Sequence, residues 1–174
     1  ILAQRFDASA VKQGTEILVN SAADDERRSP AIAADPAGGF LVSWESRSAK
    51  SGSGWDILGR RFNSSGVKSG LEFRVNTTAE GDQHAPAAAF GADGSFVIAW
   101  SGTGEHDPSG IYAREFDADG LPVDNEFYVN VTTRQKQKYP AVQAATDGFV
   151  FAWTGNGEGD DQGVYLQRYE FGVY

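Results

Sequence analysis

The sequence predicts an all-β fold of propeller-like, four-stranded antiparallel blades. Three observations predict it. A pattern of short apolar runs recurs every 53–56 residues, as the tryptophans Trp44, Trp100 and Trp153 mark. Turn sequences rich in Asp and Gly separate those runs. No window keeps the period of an amphipathic helix. Four strands recurring on this scale are the mark of a propeller blade. Three repeats of four strands also leave a closed three-fold fold, a β-trefoil or β-prism, as the alternative.

Each blade has four strands, A to D. Strand A opens at Pro30, Pro86 and Pro140 and is small and alanine-rich (Ala31, Ala33 and Ala34 in the first copy), which suits a crowded centre. Asp35-Pro-Ala-Gly-Gly39, Ala92-Asp-Gly94 and Thr146-Asp-Gly148 then close a hairpin, with glycine supplying the positive φ of the turn. Strand B (Phe40–Trp44, Phe96–Trp100, Phe149–Trp153) is almost continuously apolar, as a strand covered on both faces should be. Strand C (Ile1–Phe6, Ile57–Phe62, Ile111–Phe116, Val164–Tyr169) alternates apolar and polar residues. Strand D carries Glu-x-x-Val-Asn at Glu16–Asn20, Glu72–Asn76 and Glu126–Asn130. The repeats run approximately 1–56, 57–110 and 111–163, with one extra strand in 164–174, as a single repeat domain.

Composition narrows the function. The 174 residues hold 15 Lys+Arg against 24 Asp+Glu, a net charge of −9. A chain this acidic is a poor match for nucleic acid, which needs clustered cations. Cysteine is absent, which removes disulfides, thiolate metal sites and cysteine nucleophiles. No apolar run reaches the roughly 18–20 residues of a membrane span. Methionine is absent and the first residue is Ile1, so a processed product or a piece of a longer polypeptide is expected.

The pattern [IV]-[YL]-x-[QR]-R-[FY]-[DN]-x-x-G, then E-[FI]-x-V-N, then P-x-[VI]-A-x-x-x-D-G-x-[FL]-V-x-x-W covers essentially the whole chain. It resembles a repeat found in tandem in large secreted and surface proteins of bacteria. Those proteins often also carry haemolysin-type (RTX-like) calcium repeats or cadherin-like modules. The resemblance implies an extracellular or cell-surface setting. It implies no activity, and the calcium nonapeptides are not present. Glu115 departs from the pattern, standing where the other copies have Arg5, Arg61 and Arg168.

No catalytic residue stands out: no nucleophile elbow, zinc-protease or phosphate-loop motif occurs. In a meander, the B–C and D–A loops share one face, and these loops differ most between copies. The candidate ligand-face residues there are Trp55, Glu105, His106, Asp107, Glu158, Asp160 and Asp161. Trp55 is unique to its loop and is expected to be exposed. Glu158, Asp160 and Asp161 are the candidate metal ligands, because calcium takes carboxylate and carbonyl oxygens from a loop that can curl around it. His84 and His106 read as solvated loop histidines. Trp44, Trp100 and Trp153 read as core between blades. Arg5, Arg61 and Arg168 are expected to pair with Glu16, Glu72 and Glu126 or to stack on rings. Asn76 and Asn130, though in glycosylation sequons like Asn63, are expected to have a structural turn role.

The function these observations favour is a non-enzymatic module for adhesion, assembly or structural display. A carbohydrate-binding propeller lectin is the alternative, and a polysaccharide hydrolase fragment the second. The expected partners are a second copy or further repeats of the same parent protein, together with a surface glycan or protein.

Overall fold

The computed structural model describes residues 1–21, 25–48, 54–104, 107–133, 135–157 and 160–170. Among them are thirteen strands in four antiparallel sheets and no helix. β1 (Leu2–Phe6) and β2 (Lys12–Leu18) form a two-stranded sheet. β3 (Glu26–Ala34), β4 (Phe40–Arg47), β5 (Asp56–Phe62) and β6 (Lys68–Arg74) form a complete blade. β7 (Gln83–Phe90), β8 (Phe96–Gly102), β9 (Gly110–Phe116) and β10 (Phe127–Tyr128) form the next. β11 (Lys138–Ala145), β12 (Gly148–Gly157) and β13 (Asp160–Glu170) form a three-stranded sheet. The chain is therefore strands C and D of one blade, two whole blades, and strands A to C of a fourth.

The fold is propeller-like. Each sheet is a meander of consecutive strands, and neighbouring sheets meet through side chains. The alanine-rich strands lie side by side, β3 against β7 and β7 against β11, because only small residues let three backbones approach there. Strands of different repeats do not pair into a common barrel among the described residues, which sets the trefoil aside.

Strand B is buried on both faces, and the two faces serve different seams. Phe96, Ile98 and Trp100 of β8 pack backward on Leu41, Ile57, Val75 and Phe73, while Val97 and Ala99 pack forward beneath Phe149, Phe151 and Trp153. Trp44 packs on Val19, Ile17 and Ala3 of the half-blade in the same way. All three tryptophans are core, at 0%, 1% and 7% exposure.

The repeated motif residues hold these seams. Val19, Val75 and Val129 are fully buried. The Asn that follows each caps strand C: Asn76 Oδ1 accepts the Ile57 N–H at 2.8 Å and Asn130 Oδ1 that of Ile111 at 2.6 Å. The motif Glu reaches back to the preceding blade, where Glu72 accepts from Ser21 N at 2.8 Å and Glu126 from Thr77 N at 2.6 Å. Buried Arg60 crosses the same seam to donate to the Val19 carbonyl at 2.7 Å. Arg60, not Arg61, approaches Glu72, at 3.9 Å. Arg61 instead meets Asp35 at 3.6 Å and lies over the Phe96 ring, Arg5 donates to the Ser64 and Ser65 carbonyls, and Arg168 pairs with Asp147. Side chains alternate along a strand, so neighbouring arginines serve opposite faces.

Two local departures have sequence causes. Strand D of the third repeat shrinks to Phe127–Tyr128. Gly14 (φ 72°) and Gly70 (φ 83°) let β2 and β6 bulge and continue, whereas Asp124 occupies that place in the third copy and Pro122 removes a ladder N–H. The A–B turns also differ. Gly38 and Gly94 take the positive φ expected of them, but Gly148 does not; there an added Cβ would strike the Tyr169 carbonyl.

Candidate functional site

The inner strands share a defect at one height. Ser29, Ala85 and Tyr139, each just before the strand-A proline, have φ of 51°, 51° and 54°. Proline cannot donate to the ladder, so the register of β3, β7 and β11 slips there in each copy. A non-glycine residue in this region is strained, and such residues gather where a surface is built for contact. All three line one cleft of about 720 Å³ on the face formed by the B–C and D–A loops.

At the centre of the cleft wall is a buried carboxylate. Glu45, at the end of strand B, is 3% exposed. Its copies, Ser101 and Thr154, use a hydroxyl to bond a strand-A carbonyl of their own blade. Glu45 is longer and reaches the next blade. Its Oε2 accepts from Arg28 Nε at 2.7 Å and faces His84 Nδ1 at 3.1 Å, and its Oε1 accepts the Ala85 N–H at 2.9 Å. Burial alone would raise the Glu45 pKa, but the hydrogen bonds from Ala85, Arg28, His84 and Ser29 outweigh it and hold the carboxyl below its ordinary value. The far nitrogen of His84 lies 4.0 Å from Asp82, whose carboxylate accepts the Trp55 N–H at 2.9 Å.

These contacts relocate several sequence candidates. Trp55 is 7% exposed, not a free contact ring. The Arg28 guanidinium covers it at 3.8 Å and Arg47 at 5.1 Å, since both arginines rise from neighbouring strands that leave the indole face open to cations. Asp107 is fully buried. It accepts from Ser109 N and Asn130 Nδ2, both at 2.9 Å, and its carbonyl takes the Tyr112 hydroxyl, so it anchors the turn. Its charge and burial push the Tyr112 pKa up to about 12, burial first. Asp160 repeats that role while exposed, accepting from Gln162 N at 2.9 Å with its carbonyl bonded to the Tyr165 hydroxyl. Glu105, His106 and Glu158, and the side chain of Asp161, lie outside the described residues. The described residues gather no group of three His, Asp or Glu suited to a metal ion. His84 is not a solvated loop histidine; it sits in β7 against Glu45.

Sequence reasoning missed Arg28, Glu45, Lys136, Lys138 and Tyr139. A signal was present at Tyr139: the residue before the repeated proline changes from Ser to Ala to Tyr. Its ring is 68% exposed at the cleft rim. Lys136 and Lys138 flank the cleft beside it and also line a second cleft of about 770 Å³ with Gly155, Asn156 and Gln162.

No protein-family model matches the chain, and no curated protein matches it. Solved structures do share its fold. A protein of unknown function from Dyadobacter fermentans is 13% identical with a TM-score of 0.61, over 87% of this chain and 40% of that one. An endo-arabinase from Bacteroides thetaiotaomicron is 12% identical with a TM-score of 0.55, over 83% and 56%. A thermostable family-43 glycoside hydrolase is 11% identical with a TM-score of 0.52, over 84% and 56%. At these identities the likeness is one of fold, and the chain spans about half of each neighbour or less.

Proposed function

We propose that the chain is a non-enzymatic adhesion module of an extracellular or cell-surface protein, and that it binds carbohydrate at the cleft between β3, β7 and β11. The observation that carries this is Tyr139. An exposed aromatic ring, held by strained backbone at the rim of a polar cleft, is the arrangement that stacks on a sugar ring while nearby donors and acceptors bond its hydroxyls. The neighbours named as an endo-arabinase and a family-43 glycoside hydrolase support a carbohydrate setting.

The state of Glu45 supports a reading of binding without turnover. Glycoside hydrolysis uses two carboxyl groups, one holding a proton for the leaving group at neutral pH. Glu45 is held ionised and both its oxygens already accept protein donors. Asp82 anchors the Trp55 backbone. A glycan array with the purified chain tests the proposal. Binding to at least one glycan class, lost in Tyr139→Ala with folding intact, is the expected result. A clean negative across neutral and acidic glycans refutes it. Turnover of arabinan that Glu45→Gln abolishes would replace it with a hydrolase.

A further inference from the structure

We infer that the glycan this cleft takes is an anionic polysaccharide, bound across a lysine ridge between two clefts; this rests on the carbohydrate-binding function proposed above. The ridge is built by strand alternation. Gln137 is 1% exposed and turned inward, where its Nε2 donates to the Asn156 carbonyl at 3.0 Å. Its neighbours Lys136 and Lys138 must therefore face out, and both are exposed. Each lines the cleft between β3, β7 and β11 and the adjoining one, so the pair stands on the divide between them.

The charge of the site opposes that of the chain. Net charge is −9, yet the cleft between β3, β7 and β11 presents Arg28, Lys136 and Lys138. Two carboxylates also line it: Glu45, buried and bonded to Arg28 and His84, and the exposed Asp82, which accepts the Trp55 N–H, so the three cations still outnumber the acids. Lys136 and Lys138 are both exposed and form no ion pair among the described residues. Two clefts joined over a cationic divide suit an extended chain, with Tyr139 stacking one sugar while the lysines meet acidic groups on either side. The acidic chain repels polyanions elsewhere, which restricts them to this ridge.

Isothermal titration with four probes tests the inference: an oligogalacturonate, a heparin-derived oligosaccharide, a neutral arabino-oligosaccharide and a DNA oligonucleotide. At low salt either acidic oligosaccharide should bind about twofold to thirtyfold more tightly than the neutral one, the range two exposed ion pairs supply. Raising the salt should erase that advantage. The exposed double variant Lys136→Gln/Lys138→Gln should erase it too, with the unfolding transition unchanged. A preference for carboxylate or for sulfate names the acidic group, and both support the inference. Equal binding of the neutral probe, lost in Tyr139→Ala, overturns the inference and leaves the proposed function standing. DNA bound as tightly as the acidic sugars also overturns it, as plain polyanion attraction. No binding of any sugar overturns the proposed function and the inference together.

Discussion

Trp44 and Trp100 occupy the same place in successive repeats, yet Trp→Phe should cost unequal amounts at the two. Both rings are buried at a blade seam, at 0% and 1% exposure, so the loss of packed volume is shared. The difference is at the indole nitrogen. Trp100 Nε1 donates to Gln83 Oε1 at 2.9 Å, and Gln83 is itself 1% exposed. Phenylalanine there strands a buried amide oxygen, which costs about 1–3 kcal/mol beyond the packing loss. In the first repeat the residue at the position of Gln83 is Arg27, whose guanidinium has no acceptor to offer. Trp44 Nε1 is accordingly buried without a hydrogen-bond partner among the described residues, and phenylalanine removes an unmet donor. Trp100→Phe should therefore exceed Trp44→Phe by about 1–3 kcal/mol. With a urea slope of roughly 1–3 kcal/mol/M, the unfolding midpoints should differ on the order of 1 M. Urea titrations followed by far-UV circular dichroism measure this. Equal midpoints, or a larger loss for Trp44→Phe, would refute the hydrogen-bond account and leave only ring volume.

Three further outcomes are expected. Glu115, where other copies have Arg, is 8% exposed, and burial followed by the Asp93 charge raises its pKa, so the native state loses stability from it as pH rises through the ordinary carboxylate range. Glu115→Arg should raise the melting temperature at pH 7 by about 2–4 °C, as for roughly 1 kcal/mol in a chain this size, and the gain should shrink at pH 4; an unchanged gain at both pH values contradicts it. Glu45 has the opposite sign: its lowered pKa adds stability above the unfolded Glu pKa that is lost as pH falls through the native value, so Glu45→Gln should cost about 1–3 kcal/mol at pH 7 and flatten the acid limb of the stability curve. At the two ends of the arc, Leu2 and Phe6 are 62% and 56% exposed, and Val164 and Leu166 76% and 67%, whereas Phe62 and Phe116, which match Phe6, and Ile57 and Ile111, which match Val164, are at most 2% exposed. Light scattering should show concentration-dependent self-association that Phe6→Glu and Leu166→Glu each weaken; a monomer at every concentration would show that these faces do not seek one another.

Much of the fold could be read from residue order because its causes are local and repeated. Alternation in strand C, the continuous apolar run of strand B and the Asp-Gly turns each act within a few residues, and the spacing of Trp44, Trp100 and Trp153 sets the blade. The burial of those tryptophans and the capping by Asn76 and Asn130 follow from the same repetition. The cleft could not be read that way. Glu45 and His84 are 39 residues apart and meet only because β4 packs beside β7, and Trp55 is hidden only because Arg28 and Arg47 converge on it. Asp107 resembles a ligand in its loop until Asn130, 23 residues on, arrives to bind it. Sequence alone determined which residues form strands and which faces turn inward, since backbone sterics and side-chain polarity act along the chain. Only the tertiary structure decided which carboxylates are spent on the protein and which side chains are left to a ligand, because hydrogen bonds are assigned by proximity in space.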